Sequence, residues 1–531
     1  MDRAVLTEEQ EKESLIKRLL LFFTIIYGVQ GLSQGGVSGL FYYPISFLLK
    51  DNLRFTPEQL AYFRGLVLIP WTIKPLYGLL SDFVPILGYR RRSYLFLAGL
   101  TASLAALYLA FFCDYSKGQL LNFLTTTALG IAFCDVVCDA VMIESGKRFD
   151  AIDKFQATQW RAINAASVLS GIGGGFIAAH FTYRQTFLLM ACLPLLICIA
   201  AIFFVPEKRY EYKKAEKLTV GSVIKLKDLI SAVLACGGIV PILFWLNSRY
   251  LEMDTISFFR MAIPFLILIS LTFLFRRQID KKVLFCMAFL FWWDLSLYLS
   301  GAPFFYYQTD TLGFSKMFMG TLSTIGSAAA IFGSWAFSKI SRKKLVWNKR
   351  LIADLSLEKL LFYSVFIGLA SIISNFLLMG PKSAIALGIV FGFIFMFAHL
   401  SILVLAGKFC PAKIEGTFFA LLMSVINLGG SISELASGKL YEIFSSMAPK
   451  ALENNFWARF LIWLGWPTKN VNPEANFNIF GLYYAIGWLI VISAVLFALY
   501  FLAVRYFKER IKEEKEPEAL DISKLFSKKK K

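Results

Sequence analysis

Leu53-Arg54-Phe55-Thr56 and, 259 residues later, Leu312-Gly313-Phe314-Ser315 each open an apolar segment long enough to cross a bilayer. The same shift lays Thr158-Gln159-Trp160 on Thr417-Phe418-Phe419 and Ser170-Gly171 on Gly429-Gly430. Near these lie two looser likenesses, Phe41-Tyr42-Tyr43 with Phe305-Tyr306-Tyr307 and the basic run Arg90-Arg91-Arg92 with Arg342-Lys343-Lys344. Each match is weak alone. Their consistent order predicts an internal duplication, which is to be sought before any single motif is interpreted.

Working outward, the 531 residues are 57% hydrophobic and only 17% charged, too apolar for a soluble chain of this length. Lipid is the solvent. A hydrocarbon core of roughly 30 Å takes about 20 apolar residues per helix. Candidate spans of that length fall at 19–49, 58–80, 93–113, 119–143, 159–181 and 186–205, then at 228–246 and 258–275, then at 283–303, 316–337, 359–379, 383–406, 414–440 and 478–503. The expectation is an all-α integral membrane protein of 12–14 spans with the major facilitator fold: two parallel six-helix halves and an extra hydrophobic pair between them. The halves are 1–205 and 283–510, separated by a basic linker at 206–282 and followed by a basic tail at 511–531. In that fold the substrate site lies between the halves near the midplane, lined by the first and fourth helices of each.

The net charge of +19 is spread over short loops and the tail rather than one face, so it reads as a topology signal and no nucleic-acid partner is expected. With the N-terminus inside, Arg90 to Arg92, Lys147-Arg148, Lys208 to Lys227, Arg276-Arg277, Arg342 to Lys344 and Lys528 to Lys531 all fall on the cytoplasmic side, and both termini are cytoplasmic. The first eighteen residues have no apolar core of a secretory signal, and a bacterial-type inner membrane is the expected location. Cysteines such as Cys134, Cys138, Cys192 and Cys286 sit in apolar stretches without paired metal spacing, and are expected to be buried free thiols.

An ionisable residue at the bilayer centre costs roughly 2.5–3.5 kcal/mol on insertion scales and therefore marks a site. Cys134-Asp135-Val136-Val137-Cys138-Asp139 places two carboxylates four residues apart on one face of the fourth span. Lys74 lies at comparable depth in the second span, and one of these carboxylates is its natural partner. Asp135, Asp139, Lys74, Trp71, Trp160 and Arg161 are the candidates for substrate binding or coupling. A purely structural ion network is the competing reading. Desolvation and a nearby ammonium act on a carboxylate in opposite senses, and the residues leave that balance open.

At the cytoplasmic edge Gly78, Asp82, Arg90, Arg91, Arg92 and Glu144 are assigned to gating, with Gly78 allowing close packing and the charges pairing across helix ends, Arg161 included. The shift carries Asp135 and Asp139 onto Ile394 and Ala398, so the second half lacks the carboxylate pair; its polar candidates are Asp294, His399, Asn427 and Glu434. Gly171, Gly173, Gly174 and Gly175 lie inside an apolar span with no strand before them and predict helix packing, not a nucleotide loop. With His180 and His399 the only histidines, neither a metal site nor a catalytic triad has its parts. No cofactor and no enzymatic activity are expected, and the duplication favours alternating access over a channel.

The run from Leu68-Ile69-Pro70-Trp71-Thr72-Ile73-Lys74-Pro75 through Gly78-Leu79-Leu80-Ser81-Asp82 to Gly88-Tyr89-Arg90-Arg91-Arg92-Ser93-Tyr94-Leu95 resembles the signature of the folate-biopterin transporter family. Tyr43-Pro44 and Phe47 to Asp51 fit that family's first span. Asp135-Val136-Val137-Cys138-Asp139-Ala140 resembles its fourth helix, and Gln156 with Trp160 the entrance to its fifth. The likeness covers the first half well and the second loosely, with a departure in the insert 206–282. It implies a secondary transporter for pterins such as folate and biopterin, with proton symport plausible for such carriers. A muropeptide-permease-like, acetyl-CoA-transporter-like or S-adenosylmethionine carrier is the alternative. A carboxylate suits the amino and ring N–H edge of a pterin, aromatics such as Trp71, Trp160, Trp292 or Trp293 its face, and Lys74 or Arg161 the glutamate tail of folate.

Overall fold

A computed structural model of the chain describes residues 2–33, 38–149, 151–205, 207, 234, 238–245, 247–251, 255–274, 281–340, 343–347, 350–354, 357–408, 415–473, 475, 477–511 and 518–521. In chain order the helices are α1 (Asp2–Leu32), α2 (Tyr42–Phe47), α3 (Pro57–Leu68), α4 (Lys74–Phe83), α5 (Arg92–Phe111), α6 (Lys117–Phe149), α7 (Ile152–His180), α8 (Tyr183–Phe204) and α9 (Thr255–Leu274). They continue as α10 (Lys281–Leu297), α11 (Gly301–Tyr306), α12 (Lys316–Ile340), α13 (Leu357–Ser374), α14 (Pro381–Lys408), α15 (Glu415–Met447), α16 (Phe456–Trp463) and α17 (Ile479–Ile511). Among the described residues nine helices are long and apolar enough to cross a membrane.

The chain divides into two compact units. One comprises Met1–Asp280, Ser315–Thr324 and Pro411–Leu435; the other comprises Lys281–Phe314, Ile325–Cys410 and Ala436–Lys531. In the first unit α5 packs on α6 and α8, and α1 on α7. Its core runs from Leu19, Phe22 and Phe23 of α1 to Ile131, Ala132 and Val137 of α6. The start of α12 meets α7 backbone to backbone: a Cβ on Gly320 would lie 2.4 Å from Gly171 O, and one on Gly175 2.8 Å from Lys316 O. The glycines of α7 thus serve packing, as expected from their apolar surroundings.

The duplication is visible in local geometry. Helix α2 runs into a π turn at Leu48–Asn52 and α11 into one at Tyr307–Thr311, so the shift of 259 maps the two segments residue on residue. Leu53 N–H donates to Leu48 O at 3.2 Å and Leu312 N–H to Tyr307 O at 2.9 Å; Phe55 N–H reaches Leu49 O and Phe314 N–H reaches Gln308 O. Arg54 (φ 53°) and Gly313 (φ 67°) both take the left-handed conformation that turns the chain. Thr56 Oγ1 then accepts the Gln59 N–H and Ser315 Oγ the Phe318 N–H, each starting the next helix. The matched tetrapeptides are therefore a left-handed stop, a buried phenylalanine and an N-cap. By the same shift Phe41-Tyr42-Tyr43 falls on Ser300-Gly301-Ala302, so its likeness to Phe305-Tyr306-Tyr307 is coincidental.

Several expected spans are interrupted. The segment 19–49 ends as a helix at Leu32 and resumes at Tyr42, and 283–303 breaks between Leu297 and Gly301. The segment 58–80 divides into α3, a 3₁₀ turn at Ile69–Thr72 and α4, because Pro70 and Pro75 each lack the N–H that continues a helix. Of the extra pair, 234 and 238–245 are helical and α9 covers 258–274, lying against the Ile69–Thr72 break; the rest of both lies outside the described residues. Cys134, Cys138, Cys198 and Cys286 are buried free thiols, whereas Cys192 of α8 is exposed, contrary to expectation. A feature absent from the helical pattern is a small sheet in the second unit. There β1 (Lys343–Trp347) pairs antiparallel with β2 (Arg350–Asp354) and parallel with β3 (Glu518–Asp521).

Candidate functional site

The break in the second span creates the site. A helix passing through Pro75 cannot supply the N–H that would reach the Trp71 carbonyl, and within a bilayer a freed carbonyl needs another donor. Asn427 of α15 provides it, with Nδ2 donating to Trp71 O at 2.9 Å. Tyr77 OH donates to Pro70 O at 2.9 Å, and Thr72 Oγ1 to Ile69 O at 2.7 Å. Asn427, read from the sequence as a polar candidate of the second half, thus repairs a helix of the first.

Lys74 stands at the first position of α4, directly after the break. Its Nζ lies 2.7 Å from Asp135 Oδ2 and 4.8 Å from the centroid of the Trp71 ring. Asp135 is buried on α6. Asp139, one turn on and only partly buried, accepts a hydrogen bond from Tyr27 OH of α1. The two carboxylates of α6 therefore face different partners: Asp135 is neutralised by an ammonium, Asp139 is oriented by a phenol. The Nε1 of Trp71 is buried and, among the described residues, has no hydrogen-bond partner. Tyr77 and Tyr94 sandwich Phe133 at 4.7 and 5.3 Å, which fixes the adjoining faces of α4, α5 and α6.

At the end of α6 toward Phe149, Arg91 Nη2 lies 2.6 Å from Glu144 Oε1 and its Nη1 donates to Ser81 Oγ at 2.7 Å. The expected pairing of an arginine with Glu144 is present. Leu87 (φ 53°) and Gly88 (φ 82°) form the two left-handed residues of a tight turn closed by hydrogen bonds between Ile86 and Tyr89. Glu207, not singled out from sequence, accepts the backbone N–H groups of Arg90, Arg91 and Arg92 at 2.6–3.1 Å and so caps α5. Its only signal is an acid just past the end of a span, far in sequence from the loop it holds.

Other candidates are placed differently. Gly78 is not a close-packing glycine, since a Cβ there would sit 3.6 Å from Val136 Cγ1, an ordinary contact. The side chain of Asp82 lies outside the described residues. Trp160 and Arg161 are exposed on α7, and Arg161 Nη2 donates to Thr158 Oγ1 of its own helix at 3.0 Å. In the second unit Trp292 Nε1 donates to Leu496 O, and Trp293 is buried against Phe395 and Phe497. His399 stacks on the same Phe395 ring at 6.3 Å, an aromatic core contact, while Asp294 is half-buried beside Trp293. Glu434 is partly buried on α15. Arg64, overlooked in the sequence although it is a charge inside a predicted span, is buried on α3 with Nη2 donating to Ser46 Oγ at 2.7 Å.

Residues 34–463 match the model of the BT1 family. This chain belongs to that family. The BT1 match takes in every residue of the Lys74 cluster except Tyr27, which lies before its first matched position. Similar curated relatives include the folate-biopterin transporter of Synechocystis sp., 29% identical over 422 residues that make up 78% of this chain and 73% of the relative. The probable folate-biopterin transporter 4 of Arabidopsis thaliana is 26% identical over 75% of this chain and 84% of its own. Folate transporter 2 of Plasmodium falciparum is 26% identical over 77% and 78%. Among solved structures, an auto-inhibited POT family peptide transporter superposes with a TM-score of 0.60 at 12% identity, covering 95% of this chain and 99% of its own. A bacterial homologue of the lysosomal transporter Spinster gives 0.55 at 11% identity, over 94% and 99%. At such identities the likeness carries the fold alone, and this BT1 chain has the major facilitator fold.

Proposed function

We propose that this chain is a secondary transporter for folate- and biopterin-type pterins, working by alternating access between halves at 1–205 and 283–510. The observation that carries the reading is the polar cluster of Lys74, Asp135, Asp139 and Tyr27 beside Trp71 in an otherwise apolar bundle. The names of the similar proteins support the substrate class. Asp135 is committed to Lys74, so Asp139 is the recognition carboxylate. Held at one oxygen by Tyr27, it accepts the amino and ring N–H groups of the pterin edge as a charge-assisted pair. Arg91, Glu144, Ser81 and the Glu207 cap form the gate at the Phe149 end of α6. A bacterial-type inner membrane with both termini in the cytoplasm completes the proposal.

The test is uptake of labelled folate into proteoliposomes, with excess unlabelled biopterin or S-adenosylmethionine as competitor. Competable folate uptake is expected. Hydrogen bonds to charged groups contribute roughly 1.5–3 kcal/mol each, so Asp139→Asn should weaken folate binding by about tenfold or more. An Asp139→Asn protein that binds folate as tightly as wild type removes the carboxylate from the recognition scheme, and an active preparation that admits no folate removes the substrate class.

A further inference from the structure

The Lys74 cluster is not the only charged layer in the first unit. Helices α3 and α15 share a seam at Gly65, where a Cβ would lie 2.7 Å from Leu435 Cγ and 3.1 Å from Ser431 O. One end of the seam is the bond from Asn427 to the Trp71 carbonyl. Asn427 and Glu434 are seven residues apart, as are Trp71 and Arg64, and seven residues are close to two helical turns. Glu434 therefore falls level with Arg64 at the other end of the seam. It stands at the centre of the span Ala420–Met447.

Two features separate Glu434 from the other carboxylates of this unit. Asp135 has Lys74 and Asp139 has Tyr27, whereas Glu434 Oε2 is, among the described residues, the carboxylate oxygen that is buried with no hydrogen bond. Its facing charge is also held independently. Arg64 is the charged group that acts on Glu434. It is anchored by Ser46 and lies 4.6 Å from the centroid of the Tyr42 ring, so α2 keeps it in place whichever form the acid takes. Tyr43, the other titratable group of α2 here, is hydrogen-bonded to Ser323 at the start of α12.

We propose that Glu434 is the coupling site of the transporter, with the proton itself as its ligand. In the ionised form the pair with Arg64 is neutral but leaves one buried oxygen unsatisfied. Uptake of one proton at Oε2 gives a neutral acid beside a permanently cationic guanidinium, so the pair carries one positive charge. Release of that proton on the other side returns the neutral pair, and one proton crosses per cycle. The inference rests on the reading of the chain as a secondary transporter.

Two arms test it with the full chain and Glu434→Gln. Without substrate, melting temperatures of the two proteins in detergent are compared across about pH 5 to 9, the range in which perturbed carboxylates titrate. The difference between them is expected to change with pH, and a constant offset overturns the proposal. In proteoliposomes, labelled-folate counterflow without a gradient is compared with uptake driven by an inward proton gradient. Glu434→Gln is expected to keep counterflow and lose driven accumulation; driven accumulation with the wild-type pH profile overturns it. Should Glu434→Gln lose counterflow as well, Glu434→Asp decides: a displaced pH profile of driven uptake supports the assignment, and an unchanged profile or no transport overturns it. Absence of folate counterflow in wild type instead overturns the substrate reading and leaves the melting arm to decide on Glu434.

Discussion

The Lys74–Asp135 pair makes a quantitative prediction because its members do not have equal alternatives. Their side chains are 13% and 5% exposed, with Nζ and Oδ2 2.7 Å apart. Removing one partner of a buried pair costs about 3–5 kcal/mol, since the other is left charged and unpaired. In Lys74→Met the residue left behind is Asp135, with Asp139 one turn away as a like charge. In Asp135→Asn it is Lys74, which keeps the Trp71 ring 4.8 Å from its ammonium. A cation over an aromatic face contributes about 0.5–2 kcal/mol. Lys74→Met should therefore be the more damaging by about that amount. The double variant Lys74→Met/Asp135→Asn should recover most of the loss, because neither member of the pair is then left charged without the other. The assay is the thermal melting of each purified protein in one detergent, followed by a double-mutant cycle. Asp135→Asn proving the worse single variant, or a double variant no better than Lys74→Met, would refute the reasoning that Trp71 holds the ammonium and that the pair is neutralised locally.

Further outcomes follow from single contacts. Asn427→Ala leaves the Trp71 carbonyl without its donor and should cost about 1–3 kcal/mol; adding Pro75→Ala, which restores a backbone N–H one turn on, should return part of it, as read by melting. Gly320→Ala puts a Cβ 2.4 Å from Gly171 O and should lower the melting temperature, whereas Gly78→Ala, with 3.6 Å to Val136, should be neutral or raise it by the helix preference of about 0.5–1 kcal/mol. Glu207→Gln removes a charge-assisted cap from the N-terminus of α5, so limited trypsin digestion should cut at Arg90 to Arg92 faster than in wild type. Unchanged cleavage would mean that the cap does not hold the loop.

Much of the fold was legible because membrane solvation acts on composition over long windows, and the duplication is written in residues with a local duty. Leu53 to Thr56 and Leu312 to Ser315 match since each must stop a helix, bury a ring and cap the next helix. The charges of α6 and Lys74 were legible for the converse reason, being costly in lipid. Other roles were hidden. Asn427 looked like a polar candidate of the second half, yet it serves a carbonyl freed by Pro75, hundreds of residues earlier.

What the sequence determined by itself is the solvent, the helical class, the duplicated plan and the short list of residues too costly to be idle, because each follows from properties a residue carries wherever it sits. Tertiary structure alone decided which charge meets which. Asp135 and Asp139 share one face of a helical wheel, and only the neighbours brought by α4 and α1 make one a neutralised ion and the other an oriented acceptor. The same holds for Arg64 and Glu434, which stand level only because α3 and α15 cross at Gly65, where the missing side chain lets the two helices approach.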